Sequence, residues 1–335
     1  MEIWRSLSLI FIVFVVKRKV MFRLLEYLKD YKKESFFAPL FKMLEACFDL
    51  FVPLVVAAII DNGIKENDTA YILKMGGVLL LLAAIGLTFS ITAQHFAAKA
   101  AAGFGRGLRH DLFKHIGGLS YTQIDQYGPS TFITRMTADV NQIQSQVNMV
   151  LRLLLRSPFI VIGAMIMAFT VDVKTATVFA VAIPGLSVIV FGIMLITIPM
   201  YKVVQNSLDT VMGHTRENLS GTRVIRAFNR ESQEVEEYNQ ETEILNKFQI
   251  VAGRVSTLMN PATFVVINVA IIAILWFGGI RVDVGQLSQG KVVALVNYMS
   301  LILVELIKLA SLIINLTKAF ACANRVNEIF DIPCE

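Results

Sequence analysis

Lys42, Glu45 and Asp49 stand at i, i+3 and i+7 inside an otherwise apolar run, and Glu305 and Lys308 form an i, i+3 pair in another. On a helix, spacings of three, four or seven put each set on one face. A charge at membrane depth costs about 2.5–3.5 kcal/mol on insertion scales, so such groups face protein or water. Two chemistries fit. The charges either line a wet cavity that attracts cationic, lipophilic compounds, with Asp49 the deepest and the best substrate-facing candidate, or they pair inside the membrane and set packing. In the second case Lys42 snorkels to the interface. Asn268, Asn297, Tyr298 and Asn315 are polar partners on the later apolar runs, although each taken singly reads as packing or lipid contact. The 13 methionines and 23 phenylalanines suit a pliable, promiscuous apolar surface.

Other chemistries lack their residues. His95, His110, His115 and His214 have no metal-ligand spacing, and Cys47, Cys322 and Cys334 form neither a metal motif nor a closed disulfide set. A G-x-S-x-G elbow is absent, as is the G-x-x-x-x-G-K-[ST] phosphate loop, so this polypeptide is not expected to bind or hydrolyse ATP by itself. Gly103-Phe104-Gly105-Arg106-Gly107 is glycine-rich but lacks the lysine and does not follow a strand. It reads as a close helix contact.

The elements that carry these residues are membrane spans. Of the 335 residues, 55% are hydrophobic and only 17% charged, where a soluble domain keeps about 25% charged; the mean hydropathy is +0.62. Six stretches approach the roughly 20 apolar residues that a spanning helix needs: Phe36–Ile60, Ile72–Phe96, Leu151–Val171, Ala176–Pro199, Pro261–Gly279 and Val292–Leu316. The connections 97–150 and 201–260 are long and basic, as is the leading segment, whereas the other three connections are short with few bases. Positive residues favour the cytoplasmic side, so both termini and both long connections are expected inside. The net charge of +5 fits an anionic lipid surface better than nucleic acid, because the bases flank apolar runs.

The long connections carry helical periodicity. Leu108, Leu112 and Phe113 precede a break at Gly117-Gly118, and Ser130 is placed to cap a helix carrying Ile133, Met136, Val140, Ile143 and Val147. In the second connection, Val203, Leu208, Val211 and Met212 precede a break at Ser220-Gly221, with Val235, Tyr238 and Ile244 after it. Such spans continue beyond the membrane and return as hairpins, reaching roughly 35–40 Å at 1.5 Å per residue.

Several segments together resemble a known family. They are Ile60-Asp61-Asn62-Gly63-Ile64 at the end of the first span, and Leu108-Arg109-His110-Asp111-Leu112-Phe113 with Ile133-Thr134-Arg135-Met136-Thr137-Ala138-Asp139-Val140 in the first hairpin. The stretch from Glu217-Asn218-Leu219-Ser220-Gly221 to Arg230-Glu231 and the terminal Arg325-Val326-Asn327-Glu328-Ile329-Phe330-Asp331 complete the set. The chain resembles the transmembrane domain of a bacterial ABC exporter, the heterodimeric multidrug kind most of all, over Met21 to about Ile332.

That resemblance implies an all-α membrane fold of six transmembrane helices with two long cytoplasmic helical hairpins, in the bacterial cell membrane. It implies drug export by alternating access, with a second exporter half and nucleotide-binding domains as partners, ATP and Mg residing on those domains. A truncated, non-transporting half that regulates a full-length exporter, or a lipid or peptide exporter half, is the alternative. Contact with the nucleotide-binding domains falls to Tyr121, Gln123, Asp125 and Gln126 in the first hairpin and to Gly221, Thr222, Arg223, Arg226 and Phe228 in the second. Ile124 departs from the family, which places an aromatic before the aspartate, and this weakens the first assignment. The substrate cavity falls to Glu45, Asp49, Asn268, Asn297, Tyr298, Glu305 and Asn315. Residues 1–20 read as an extension ahead of a start at Met21, 21–35 as an amphipathic interfacial elbow helix, 36–325 as the six-helix domain, and 326–335 as the start of a link to a nucleotide-binding domain.

Overall fold

The computed structural model describes residues 26–334, which are helical with no β-strand among them. The 1–20 extension, Met21 and the first part of the 21–35 elbow lie outside the described residues. The chain forms two compact units, one made of the residues up to Ala176 with those from Phe277 onward, the other of Thr177–Trp276. Six helical stretches are long and apolar enough to cross a membrane, as the hydropathy pattern requires.

In the first unit a 3-10 turn, Glu26–Tyr31, leads into α1, Lys32–Ala58, which runs on through a π-helical turn, Ile59–Ile64. α2, Thr69–Ile116, starts where the Asp68 carboxylate accepts the N–H groups of Ala70 and Tyr71, both at 3.0 Å. α3, Tyr121–Tyr127, is a short helix closed by a Ser120–Gln123 capping box. α4, Pro129–Thr134, passes through a π turn, Arg135–Asp139, into α5, Val140–Leu153, and α6 follows over Arg156–Val171. α7, Val173–Ala227, runs into the second unit, which contains α8, Glu231–Thr257. α9, Met259–Asp283, returns to the first unit, and α10, Gln289–Phe330, completes it.

Beyond the apolar spans, the first unit has its own core: Phe104, Leu108 and Leu112 of α2 meet Val140, Ile143 and Val147 of α5 and Ala323, Val326 and Ile329 of α10. Phe113 and Ile133, read with the apolar stripe, are instead exposed. In the second unit α7 and α8 meet through Val204, Val211, Leu245 and Ala252, while Val203, Met212, Val235 and Ile244 face outward.

Two sequence expectations are corrected. Ser130 does not cap a helix; Gly128, at φ 75°, occupies that place and Pro129 follows at the first helical position, where a fixed φ and a missing N–H cost nothing. The break at Ser220-Gly221 does not occur, because α7 continues to Ala227 and the chain turns at Phe228–Arg230 with Asn229 at φ 54°. Pro158 and Pro261 each lie in the first turn of a helix, just after the interruptions at Leu154-Leu155 and Leu258, and Pro184 and Pro199 lie inside α7.

The glycine-rich stretch is a helix contact. A Cβ on Gly103 would stand 2.1 Å from Cζ of Tyr31, one on Gly107 3.0 Å from Cδ1 of Tyr27, and one on Gly105 2.1 Å from Oε1 of Gln144. The bare turns of α2 thus receive two tyrosines one turn apart, while Gly105 admits α5. At the other end of the unit, Asp61 joins α1 to α10. Its carboxylate accepts Ser288 Oγ at 2.5 Å and the Gly290 N–H at 2.8 Å, capping a helix whose own Ser288 side chain makes no cap bond.

Candidate functional site

Six charged side chains, three of each sign, converge in the first unit. Lys42 Nζ donates to Glu45 Oε2 at 2.5 Å and to Ser90 Oγ of α2 at 3.0 Å. Arg156 sits at the start of α6, where the interruption at Leu154-Leu155 offsets it from α5. Its Nη2 donates to Asp49 Oδ2 at 2.9 Å and its Nη1 to Glu305 Oε1 at 2.8 Å. Glu305 also accepts Ser157 Oγ at 2.9 Å and Lys308 Nζ at 2.8 Å, and Glu45 Oε1 lies 3.8 Å from Arg156.

The expected i, i+3 and i+7 face on α1 and the pair on α10 are therefore brought together. What binds them is Arg156, which the sequence reading did not single out. A readable signal existed: an arginine in an apolar run with no acid one turn away must find its partner on another helix.

Burial decides what this cluster can do. The Lys42 side chain is 8% exposed, so it is held by Glu45 and does not snorkel. Glu305 is 1% exposed and Asp49 38%. Because the six charges cancel, the cluster carries no net charge to draw a cation inward. Its chemistry is that of a polar joint among α1, α6 and α10, with one open carboxylate edge at Asp49. Tyr298 is wholly buried and its hydroxyl donates to the Leu50 carbonyl at 2.7 Å, so the phenol belongs to the α1–α10 packing. Asn315 lies close to Met149 Sδ on α5 at 3.9 Å, Asn297 is half-buried on α10, and Asn268 is exposed on α9 with its amide on the Phe264 carbonyl.

The residues read as coupling contacts occupy the tips of the two hairpins. α3 exposes Tyr121 (89%), Asp125 and Gln126. Gln123 bonds in two directions, since its Oε1 accepts the Ser120 N–H at 2.9 Å and its Nε2 donates to the Pro333 carbonyl at 3.1 Å. With His115 Nε2 3.0 Å from the Ile332 carbonyl, residues Ile332 and Pro333 are strapped onto the end of α2 and onto α3. In the second unit Arg223, Arg226 and Phe228 (74% exposed) stand free around the end of α7, with Gly221 and Thr222 between one and two turns before that end.

Outside the apolar spans, Asp139 accepts Arg325 Nε at 2.9 Å, a second and shorter bond from Arg325 Nη2, and Arg135 Nη1 at 3.1 Å. Burial pushes the Asp139 carboxyl up, but the hydrogen bonds and charge of Arg325, with Cys322 and Arg135, outweigh it and hold it below its ordinary value. The pair ties the end of α10 to the π turn of the first hairpin.

Residues 35–306 match the model of the ABC transporter transmembrane region. The chain belongs to that family. With six apolar helices, this ABC transmembrane region is a multi-pass membrane protein. It is similar to an uncharacterised ABC transporter ATP-binding protein of Mycobacterium tuberculosis, at 32% identity over 92% of this chain and 53% of the relative. A Bacillus subtilis protein of the same description is 30% identical over 92% and 54%, and the ATP-dependent lipid A-core flippase of Pseudoalteromonas translucida is 23% identical over 93% and 54%. The ABC chain spans about half the length of the curated relatives it matches.

Proposed function

We propose that this chain is the membrane-spanning half of an ATP-driven exporter that moves lipophilic small molecules outward by alternating access. In this reading ATP and Mg bind nucleotide-binding domains that dock on Tyr121–Tyr127 and on the end of α7. A second half, identical or not, completes the pathway, since one copy of six spans encloses little. Both termini and both hairpins lie on the cytoplasmic side of the bacterial cell membrane, as the basic connections favour. Asp49, Asn297, Asn315 and Asn268 are the polar side chains offered to substrate, whereas Glu45, Glu305 and Tyr298 act through packing.

The observation that carries the coupling assignment is the pair of bare aromatics, Tyr121 and Phe228, at 89% and 74% exposure on hairpin tips remote from the apolar spans. Aromatic side chains are enriched among the residues that anchor protein–protein interfaces. The test is Phe228→Ala and Arg226→Ala in vesicles reconstituted with a nucleotide-binding partner. Basal ATPase and membrane insertion are expected to persist while stimulation by substrate and transport fall. Full stimulated ATPase and transport in both variants overturns the assignment. A lipid cargo is the second reading, supported by the similarity to a protein described as a lipid A-core flippase.

A further inference from the structure

A cavity of about 720 Å³ in the first unit opens between α2, α5 and α10 and is separate from the charge cluster. Its walls are unlike each other. α2 contributes only small side chains, Ala98, Ala101 and Ala102, which leave room. α5 contributes carboxamides and a hydroxyl, among them Asn141, Gln144, Ser145 and Asn148, and ends the row with Arg152. This is the polar face of an amphipathic helix whose other face, Val140, Ile143 and Val147, is in the core. No Asp or Glu lines the cavity among the described residues.

Two positive groups bracket it. At one end Arg109 Nη2 donates to Asn141 Oδ1 at 2.5 Å and to Gln144 Oε1 at 3.1 Å, which aligns those amides and leaves their NH₂ groups as donors. At the other end the Arg152 Nε is buried without a hydrogen-bond partner in the structure. A buried guanidinium N–H left unmatched is costly, and an anionic oxygen is the acceptor it fits best. Arg152 is also the second residue of the apolar run Leu151–Val171, so it stands where hydrocarbon gives way to head groups. From there to Asn141 the amide row runs about 16 Å at 1.5 Å per residue.

We propose that this cavity binds the head group of an anionic phosphodiester amphiphile. The phosphate lies at Arg152, the hydroxylated head extends along the α5 amides, and the acyl chains remain in the bilayer. Such a ligand satisfies each feature at once: one negative charge at the membrane edge, hydroxyls that both donate to and accept from carboxamides, and a tail that needs no protein pocket. Transport of the bound amphiphile rests on the exporter reading above. Its binding does not, and is measured without ATP or any partner.

The test uses the 335-residue chain in detergent micelles, titrated with fluorescent phosphatidylglycerol and, separately, with a fluorescent diacylglycerol, which has the same chains and no phosphate. Arg152→Gln is expected to weaken phosphatidylglycerol about tenfold, the effect of one charge-assisted hydrogen bond, and to leave diacylglycerol within about twofold. Arg152→Lys restores most of the loss. Asn148→Leu, which keeps the charge and removes an amide, weakens phosphatidylglycerol but spares a phosphatidic acid probe that has no head-group hydroxyls. Equal weakening of both lipids by Arg152→Gln, or no weakening of either, overturns the proposal. Displacement of the probe by inorganic phosphate as effectively as by unlabelled phosphatidylglycerol assigns the site to soluble phosphates and overturns the lipid.

Discussion

Arg156→Met removes the hub of the charge cluster while keeping most of its stem. Arg156 makes two charge-assisted hydrogen bonds, 2.9 Å to Asp49 and 2.8 Å to Glu305, each worth about 1.5–3 kcal/mol. Their sum is an upper limit, because Asp49 at 38% exposure is partly rehydrated once abandoned. Glu305, at 1% exposure, keeps Ser157 and Lys308. The expected loss is therefore about 3 kcal/mol, the lower end of the cost of breaking a buried pair. At roughly 2 °C per kcal/mol for a large domain, the midpoint for loss of the folded species on heating falls by about 6 °C. The assay is the fraction surviving a heat pulse by size-exclusion chromatography in one detergent. Adding Asp49→Asn returns the remaining four charges to balance, so the double variant is expected to recover about half of the loss, a coupling that independent sites lack. An unchanged midpoint for Arg156→Met, or additive losses in the double variant, refutes the argument that charge balance holds this joint.

Other outcomes follow from single contacts. Asp61→Ala removes the remote cap on α10 and is expected to cost about 1–2 kcal/mol, read as faster amide hydrogen exchange at Gly290 and the residues just after it. Gly103→Ala drives a methyl into the Tyr31 ring and is expected to destabilise by about 1–3 kcal/mol; the same change in a Tyr31→Ala background is expected to be nearly silent in the heat-pulse assay. The stability from Asp139–Arg325 is fully present above the ordinary carboxylate pKa, because the folded value is the lower one, and it is lost as pH falls through that lowered value. Asp139→Asn is accordingly expected to destabilise at neutral pH and to converge with the parent in acid, measured as heat-pulse survival at a series of pH values.

The spans were legible because hydrocarbon imposes length and apolarity on every helix that crosses it. The α1 charges were legible because one helix carries them at turn spacing. Their meaning was not, since it depends on Arg156, which lies 149 residues from Glu305, and hydropathy cannot report which distant helix supplies a counter-ion. The short helix at the tip of the first hairpin follows from Ser120, Gln123 and Gly128, whose capping roles are local. In the second hairpin, Ser220-Gly221 looked like a stop, yet the Ser220 hydroxyl donates back to the Glu217 carbonyl at 3.0 Å within the helix, and α7 runs through to the turn at Asn229. The polar row of α5 was missed for another reason. Uncharged amides raise no alarm in a charge count, and only the alternation with Val140, Ile143 and Val147 marks them as a separate face.

Along α10 the first unit is cross-braced at successive levels: Asp61 to Gly290, Leu50 to Tyr298, Arg156 to Glu305, Gln146 to the Leu312 carbonyl and Asp139 to Arg325. Ladders of this kind resist bending and splaying alike. The first, third and sixth membrane crossings are therefore tied as a single girder, and any rearrangement of the molecule that keeps these bonds must flex elsewhere.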